Sequence, residues 1–295
     1  MPGKPGKLLV IDVGNSEIVV GVFSGDRLSA RWRLASRPRT ADEIVLLFET
    51  LFSKIRQKAV GIPSVLSSVV PPATLGFADA LEDLTGSPPF VVGEGKIPGL
   101  AIRFLEPSSV GPDRLANAMA VRAIYGKPAI VVDLGTATTF DVVGSRGEYL
   151  GGAIAPGVLT SSEDLFRRAA RLSRVEMELP KTAIGKTTAE CLQSGILLGT
   201  AGMVDSQVRR IAGELGKTPR VVATGGLASL IAPACETVDA VDEWLTLQGL
   251  RLIHEATGGH SADKSVRRSR LAPSSATRKS NRRPRQRTKK PARRR

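Results

Sequence analysis

Asp12 and Asp133 each stand two residues before a glycine at the end of an apolar run, and the two copies lie about half a chain apart. Val10-Ile11-Asp12-Val13-Gly14-Asn15-Ser16 is followed by a second apolar run from Ile18 to Phe23. Val131-Val132-Asp133-Leu134-Gly135-Thr136-Ala137-Thr138-Thr139 is followed by Phe140-Asp141-Val142-Val143. Each copy predicts strand, tight turn, strand. A glycine at the bend lets backbone N–H groups approach an anion, the Asn, Ser or Thr beside it adds donors, and the Asp is placed for a cation. One Asp-x-Gly turn says little, because Asp and Gly are the commonest turn residues. Two with matching flanks predict facing hairpins that clamp a polyphosphate and its metal ion.

Val110-Gly111-Pro112-Asp113-Arg114-Leu115 opens a helix with apolar residues at Leu115, Met119 and Ile124. The helix dipole favours a carboxylate at that end whatever its function. The adjacent guanidinium after a Gly-Pro bend suits a small acceptor that carries an anion and a hydroxyl, with Arg114 on the anion and Asp113 on the hydroxyl proton. Aspartate is a weak base, but phosphoryl transfer through a loose transition state asks mainly for positioning and charge neutralisation. The glycine-dense run from Gly151 to Gly157 and the strand end Thr224-Gly225-Gly226 each read first as structural turns, though a base or ribose can lie against either. Gly185-Lys186-Thr187-Thr188 ends like a P-loop, but Pro180 stands where the first glycine is required, so a P-loop NTPase is rejected. Thr188 reads as a helix N-cap with Glu190 in the first turn.

The elements around these groups follow from periodicity. Strands are predicted at 31–34, 65–70, 90–92 and 100–104, with Pro71-Pro72 ending the second of these, and helices at 41–52, entered through Thr40, and 74–84. The second half repeats the plan: hairpin, strand 147–154, helices through 159–172 and 188–215, strand 221–224 and a last helix near 246–256. Strands first and helices after, twice over, predict two related α/β domains with mixed sheets, 8–115 and 116–257, facing one another across a cleft.

Composition bounds the rest. The chain has 295 residues and a net charge of +14, but residues 258–295 hold fifteen Lys/Arg and one acid, which leaves 27 basic and 27 acidic residues in 1–257. That last segment lacks aromatics and periodicity and is expected to be disordered in isolation. Cys191 and Cys235 lie far apart, which predicts two buried free thiols. His254 and His260 sit near no plausible nucleophile or ligand pattern, so a zinc site or a Ser-His-Asp hydrolase has no support. No run approaches the ~20 apolar residues needed to cross a bilayer, and no secretory signal is visible; a cytoplasmic protein is expected.

The motifs in order resemble the type III pantothenate kinases, members of the acetate kinase, sugar kinase, Hsp70 and actin superfamily. The resemblance covers about residues 8 to 257. It rests on Asp12 to Ser16, Thr40-Ala41-Asp42-Glu43, Ser67-Ser68-Val69-Val70-Pro71-Pro72, Gly111 to Arg114, Asp133 to Thr139, Gly151 to Gly157, Gly185 to Thr188, and Leu245-Thr246-Leu247-Gln248-Gly249-Leu250. It implies two duplicated actin-like domains with an interdomain ATP cleft, and phosphorylation by ATP of the primary hydroxyl of pantothenate, the first step toward coenzyme A. By the same resemblance Asp12, Val13, Gly14, Asn15, Ser16, Glu17, Ile18 and Val19 bind the ATP phosphates, with Asp12 serving Mg²⁺, and Thr136 donates to the nucleotide. Asp133 would coordinate a monovalent cation, potassium or ammonium. Gly111, Pro112, Asp113 and Arg114 would line the pantothenate pocket with Asp113 as proton acceptor. Thr188 would contact substrate bound by the partner of a homodimer whose pocket lies at the interface, a role that competes with capping for the same hydroxyl.

Three departures accompany the resemblance. Phe104 stands where the family usually has a substrate-contacting Tyr seven residues before Gly111, Ser16 where Thr is usual, and Pro112 where Ala is common. A lost hydrogen bond costs ~0.5–1.5 kcal/mol, so weaker pantothenate binding is expected rather than inactivity. Two rivals stand beside this reading. One is a regulatory protein of the same fold whose basic tail contacts nucleic acid through phosphate neutralisation, without the aromatic residues that base stacking needs. The other is a sugar or acetate kinase, against which Arg114 argues for a carboxylate-bearing acceptor.

Overall fold

The computed structural model describes residues 6–93, 97–169 and 171–258; the basic segment beyond Gly258 lies outside the described residues. The first sheet comprises β1 (Lys7–Val13), β2 (Glu17–Ser24), β3 (Arg27–Ala35), β4 (Ser64–Ser68) and β5 (Phe90–Val91), in the order β3-β2-β1-β4-β5. The second comprises β6 (Ala129–Leu134), β7 (Ala137–Val143), β8 (Tyr149–Pro156), β9 (Arg220–Thr224) and β10 (Ala240–Val241), in the order β10-β9-β6-β7-β8. Read from the opposite edge, the second order is the first. In both, the leading strand pairs antiparallel with its hairpin partner and parallel with the next strand in, so the duplication seen in the motifs extends to topology.

The helices are α1 (Ala41–Lys54), α2 (Pro71–Thr85), α3 (Pro112–Ile124), α4 (Val158–Arg168), α5 (Thr188–Gln193), α6 (Gly199–Leu215), α7 (Ala228–Ile231) and α8 (Leu245–Ala256). Strand alternation sorts them into layers. Leu9, Ile11 and Val13 of β1 face outward into a core shared with α1 and α2, while Ile130, Val132 and Leu134 of β6 pack with α6 and α7. The other face of each sheet turns inward: Leu8 and Val10 from one and Ala129 and Val131 from the other meet Leu115 and Met119 of α3 and Leu247 and Leu250 of α8. Two helices thus fill the space between two sheets. Gly249 makes their contact possible, since a Cβ there would stand 1.9 Å from the Ala116 carbonyl oxygen.

Register then dictates what lies beyond the apolar filling. Asp12 follows Leu8 and Val10 inward, and across the strands it aligns with Val19, Arg33 and Ser67. Asp133 follows Ala129 and Val131 inward and aligns with Thr139, Ile154 and Thr224. Both aspartates sit at the carboxyl ends of parallel strands, where ligands of open α/β sheets bind.

Several local expectations differ. Pro71 and Pro72 open α2 rather than merely ending β4, because a helix start has no use for their missing N–H groups. Residues 100–104 form no strand; Leu100 and Ile102 make isolated bridges only, and Leu105 is fully exposed. Helix α4 ends at Arg168, and the helix predicted over 188–215 is broken by a π turn at Ser194–Leu198. Thr40 caps α1 as expected, in a reciprocal box with Glu43. The second such box belongs to Thr187 and Glu190, so Thr187 and not Thr188 is the cap of α5. Both cysteines are free, but neither is fully buried: Cys191 is exposed and Cys235 half-buried. No helix among the described residues is long and apolar enough to cross a membrane.

Candidate active site

The two hairpin turns meet at their tips. Thr136 Oγ1 donates to Ser16 Oγ at 2.8 Å, and Thr160 Oγ1 donates to the Thr136 carbonyl at 2.8 Å. Asn15, Ser16 and Glu17 are exposed at the first turn, whereas Val13 and Ile18 bury their side chains in the outer core, which leaves only their backbone for a ligand. Val19 is half-buried on the inner face. At the second turn the backbone crowds Asp133: a Cβ on Gly225, which has φ +92°, would lie 2.5 Å from Asp133 Oδ1. Glycine is the residue that tolerates both that dihedral and that approach.

Asp12, Asp113 and Asp133 line one crevice between the sheets: Asp12 feels the charge of both others and Asp133 that of Asp113, while Asn117, one turn after Asp113 on α3, bonds to Asp133. Burial, then Asp113, raises the Asp12 carboxyl to about 7, against a 2.7 Å hydrogen bond from Ser67 Oγ that holds it down. Burial likewise raises Asp133 to about 6, opposed by Asn117 Nδ2, which donates to Oδ2 at 3.1 Å. Asn117 is fixed in turn by Thr246 Oγ1, which donates to its Oδ1 at 2.8 Å. Asp113 is raised by burial despite the Arg114 backbone N–H that donates to its Oδ1 at 2.9 Å. Gly111 gives that carboxylate room, since a Cβ there would stand 2.4 Å from Asp113 Oδ1. A carboxylate raised in this way is a better proton acceptor than an exposed one.

Arg114 is held by the second sheet. Its Nε donates to Asp141 Oδ1 at 2.7 Å and its Nη2 to the Phe140 carbonyl at 3.3 Å. Asp141 is fully buried; burial raises its carboxyl to about 7 and Arg114 pulls it down. Arg33 lies at the cleft mouth, donating to Glu17 at 3.0 Å and to the Glu243 carbonyl at 3.1 Å, with its guanidinium 4.8 Å from the Trp244 ring centre. Phe104 is partly exposed, 6.5 Å from the Tyr149 ring. Pro112 is buried as the first residue of α3. Thr188 stands apart, exposed in the first turn of α5, and the cap made by Thr187 leaves its hydroxyl free of that duty.

Asp113 and Asp141 flank the partly buried Arg114, and Asp12 and Asp133 lie further along the crevice, with Arg33 as the other cation that Asp133 feels; the excess of negative charge is one that cations would relieve. The donors are oxygens, which suits hard ions such as Mg²⁺ or potassium. Among the described residues no three His, Cys, Asp or Glu side chains gather closely enough to cage a metal. Thr224 Oγ1, on the same face as Asp133, is buried without a hydrogen-bond partner, a further oxygen suited to a cation beside that residue. The sequence assigns no role to Asn117 or Asp141, nor to Ser67 beyond its place in a motif. Signals existed: Asn117 lies one helical turn after Asp113, and Asp141 is a charge inside an apolar strand.

The family model for type III pantothenate kinase matches residues 8–210. A type III pantothenate kinase of Moorella thermoacetica is 48% identical over 252 residues, covering 84% of this chain and 98% of that protein. Among solved structures, a Campylobacter jejuni protein named for the Baf family of transcriptional activators superposes with a TM-score of 0.56 at 18% identity, over 85% of this chain and 100% of its own. An activator of 2-hydroxyisocaproyl-CoA dehydratase from Clostridium difficile, solved with ADPNP, gives a TM-score of 0.53 at 15% identity, over 86% of this chain and 96% of its own. At those identities the solved structures speak for the fold alone.

Proposed function

The chain belongs to the type III pantothenate kinase family, and from that premise we propose how its cleft phosphorylates pantothenate with ATP. The observation that carries the proposal is the convergence of Asp12, Asp113 and Asp133 beneath two touching hairpin turns. The turn from Asp12 to Val19, with the Asn15 amide and the hydroxyls of Ser16 and Thr136, holds the nucleotide phosphates. Asp113 accepts the proton of the primary hydroxyl as that oxygen attacks the γ-phosphorus and the bond to ADP breaks. Arg114 binds the acceptor's carboxylate through the guanidinium edge that Asp141 leaves open. Gly111 and Pro112 shape the pocket floor and Phe104 supplies an apolar wall.

Asp12 would hold Mg²⁺ and Asp133, with Thr224 beside it, a potassium or ammonium ion. Bound there, these ions would neutralise charge on the phosphates. The free hydroxyl of Thr188 supports its reaching a neighbouring subunit's substrate in a homodimer with the pocket at the interface. Residues 8–115 and 116–257 serve as the two halves of the cleft, in a cytoplasmic enzyme whose basic segment after Gly258 is free to contact polyanions non-specifically.

The test is an assay of the purified full chain with ATP, Mg²⁺, potassium and pantothenate, alongside sugar and acetate acceptors and a chain ending at Gly258. Formation of 4'-phosphopantothenate, dependent on both cations, is expected from both lengths. Phosphorylation of a sugar or acetate but not of pantothenate would overturn the assignment. A truncation that changes only retention on DNA at low salt would confine nucleic-acid contact to the tail.

A further inference from the structure

Arg114 can offer its guanidinium to a substrate only in the orientation the protein imposes, and the group imposing it is Asp141. Arginine presents a side edge, Nε with one Nη, and an end edge, the two Nη groups. Here the side edge is occupied, by Asp141 Oδ1 at 2.7 Å and the Phe140 carbonyl at 3.3 Å. The end edge remains, a fork with the geometry of a carboxylate.

Asp141 reaches further than this one pair. Tyr149 donates its hydroxyl to Asp141 Oδ1 at 3.1 Å, and Thr139 Oγ1 approaches Oδ2 at 3.5 Å. The Tyr149 ring, fully buried, backs Phe104 with ring centres 6.5 Å apart. Gly151 keeps the space beside the Phe104 ring open, since a Cβ there would lie 3.1 Å from Phe104 Cδ2. One buried carboxylate therefore fixes both an arginine and the ring behind the apolar wall. We propose that Asp141, itself held by the Tyr149 hydroxyl, is the positioning residue of the acceptor pocket, aiming Arg114 at the acceptor's carboxylate. The proposal rests on the reading that Arg114 binds that carboxylate.

A selectivity measurement tests it. Pantothenate is compared with its alcohol analogue, in which the carboxylate is replaced by a hydroxymethyl group, in wild type, Asp141→Asn and Tyr149→Phe. Asp205→Asn serves as control, because Asp205 is also a buried carboxylate, bonded to the Glu236 and Thr237 backbone away from the cleft. Asp141→Asn is expected to raise KM for pantothenate on the order of tenfold or more, as loss of a hydrogen bond to a charged group implies. KM for ATP and for the alcohol analogue should stay within about twofold, so that the preference for the carboxylate collapses. Tyr149→Phe keeps the ring and the ion pair and should shift the same ratio by about two- to fivefold. It provides the readout even if Asp141→Asn folds poorly. Asp205→Asn should lower Tm without moving the ratio. Parallel losses for both acceptors in Asp141→Asn and Tyr149→Phe, with the ratio unchanged, would overturn the proposal. A wild-type protein that phosphorylates neither acceptor would instead overturn the assigned function.

Discussion

The two sheets share a strand order and the same inward aspartate, yet they hold that aspartate by different means. In the first, the neighbouring strand supplies the partner: Ser67 Oγ, directly across from Asp12, donates to it at 2.7 Å. In the second, the equivalent Thr224 hydroxyl is left without a partner, and α3 supplies Asn117 in its place. The same helix carries Asp113 and sends Arg114 to Asp141. Duplication accounts for the two matching turns; divergence accounts for the difference between them, because the helix inserted between the copies bonds to the second. The far ends of the two rows differ as well, with Arg33 in the first sheet and an exposed Ile154 in the second.

Removing either aspartate probes the comparison most strongly. Asp12→Asn and Asp133→Asn should each lower turnover on the order of 100-fold or more. Both should also stabilise the ligand-free protein near pH 8. The sign follows from linkage: carboxyls raised to about 7 and about 6 in the fold titrate near 4 when unfolded, so the folded state binds more protons between those limits. Their favourable contribution is present below about pH 4 and is lost as pH rises through the folded values. Denaturation across pH 4 to 8 should show a flatter decline for the Asn variants than for wild type, and identical slopes would contradict the crowding of these groups.

Smaller effects separate the two partners. Ser67→Ala should cost about 1 kcal/mol, because Asp12 loses its donor, whereas Thr224→Val removes an unpaired hydroxyl at nearly the same shape and should be neutral or stabilising by up to about 1 kcal/mol. Urea melts of the two ligand-free variants check this, and equal losses would mean that the sheets hold their aspartates alike. Smallest of all, Glu17→Gln should cost below about 1 kcal/mol, since Glu17 and Arg33 pair in contact with solvent, and the difference should vanish at high salt.

Much of this arrangement was legible in the residues themselves. The two Asp-x-Gly bends read as hairpins are hairpins, and Thr40, read as the helix entry, caps α1. What stayed hidden depended on contacts between distant segments. Asn117 is one polar residue on a helix until Asp133, sixteen positions later, arrives beside it. Residues 100–104 have strand-like composition, but no neighbouring strand offers them more than isolated bridges. At Thr187-Thr188 two adjacent threonines are equally good caps by type, and only the reach of Glu190 to the Thr187 backbone decides between them.

Asp113 stands where the two copies and the inserted helix meet, so its removal tests the account most directly. Turnover of pantothenate by Asp113→Asn, measured beside calorimetric affinity for ATP, should fall on the order of 100-fold or more while ATP affinity stays within about twofold. Undiminished turnover in that variant would show that the hydroxyl proton leaves by another route, and the role given to this crevice would be wrong.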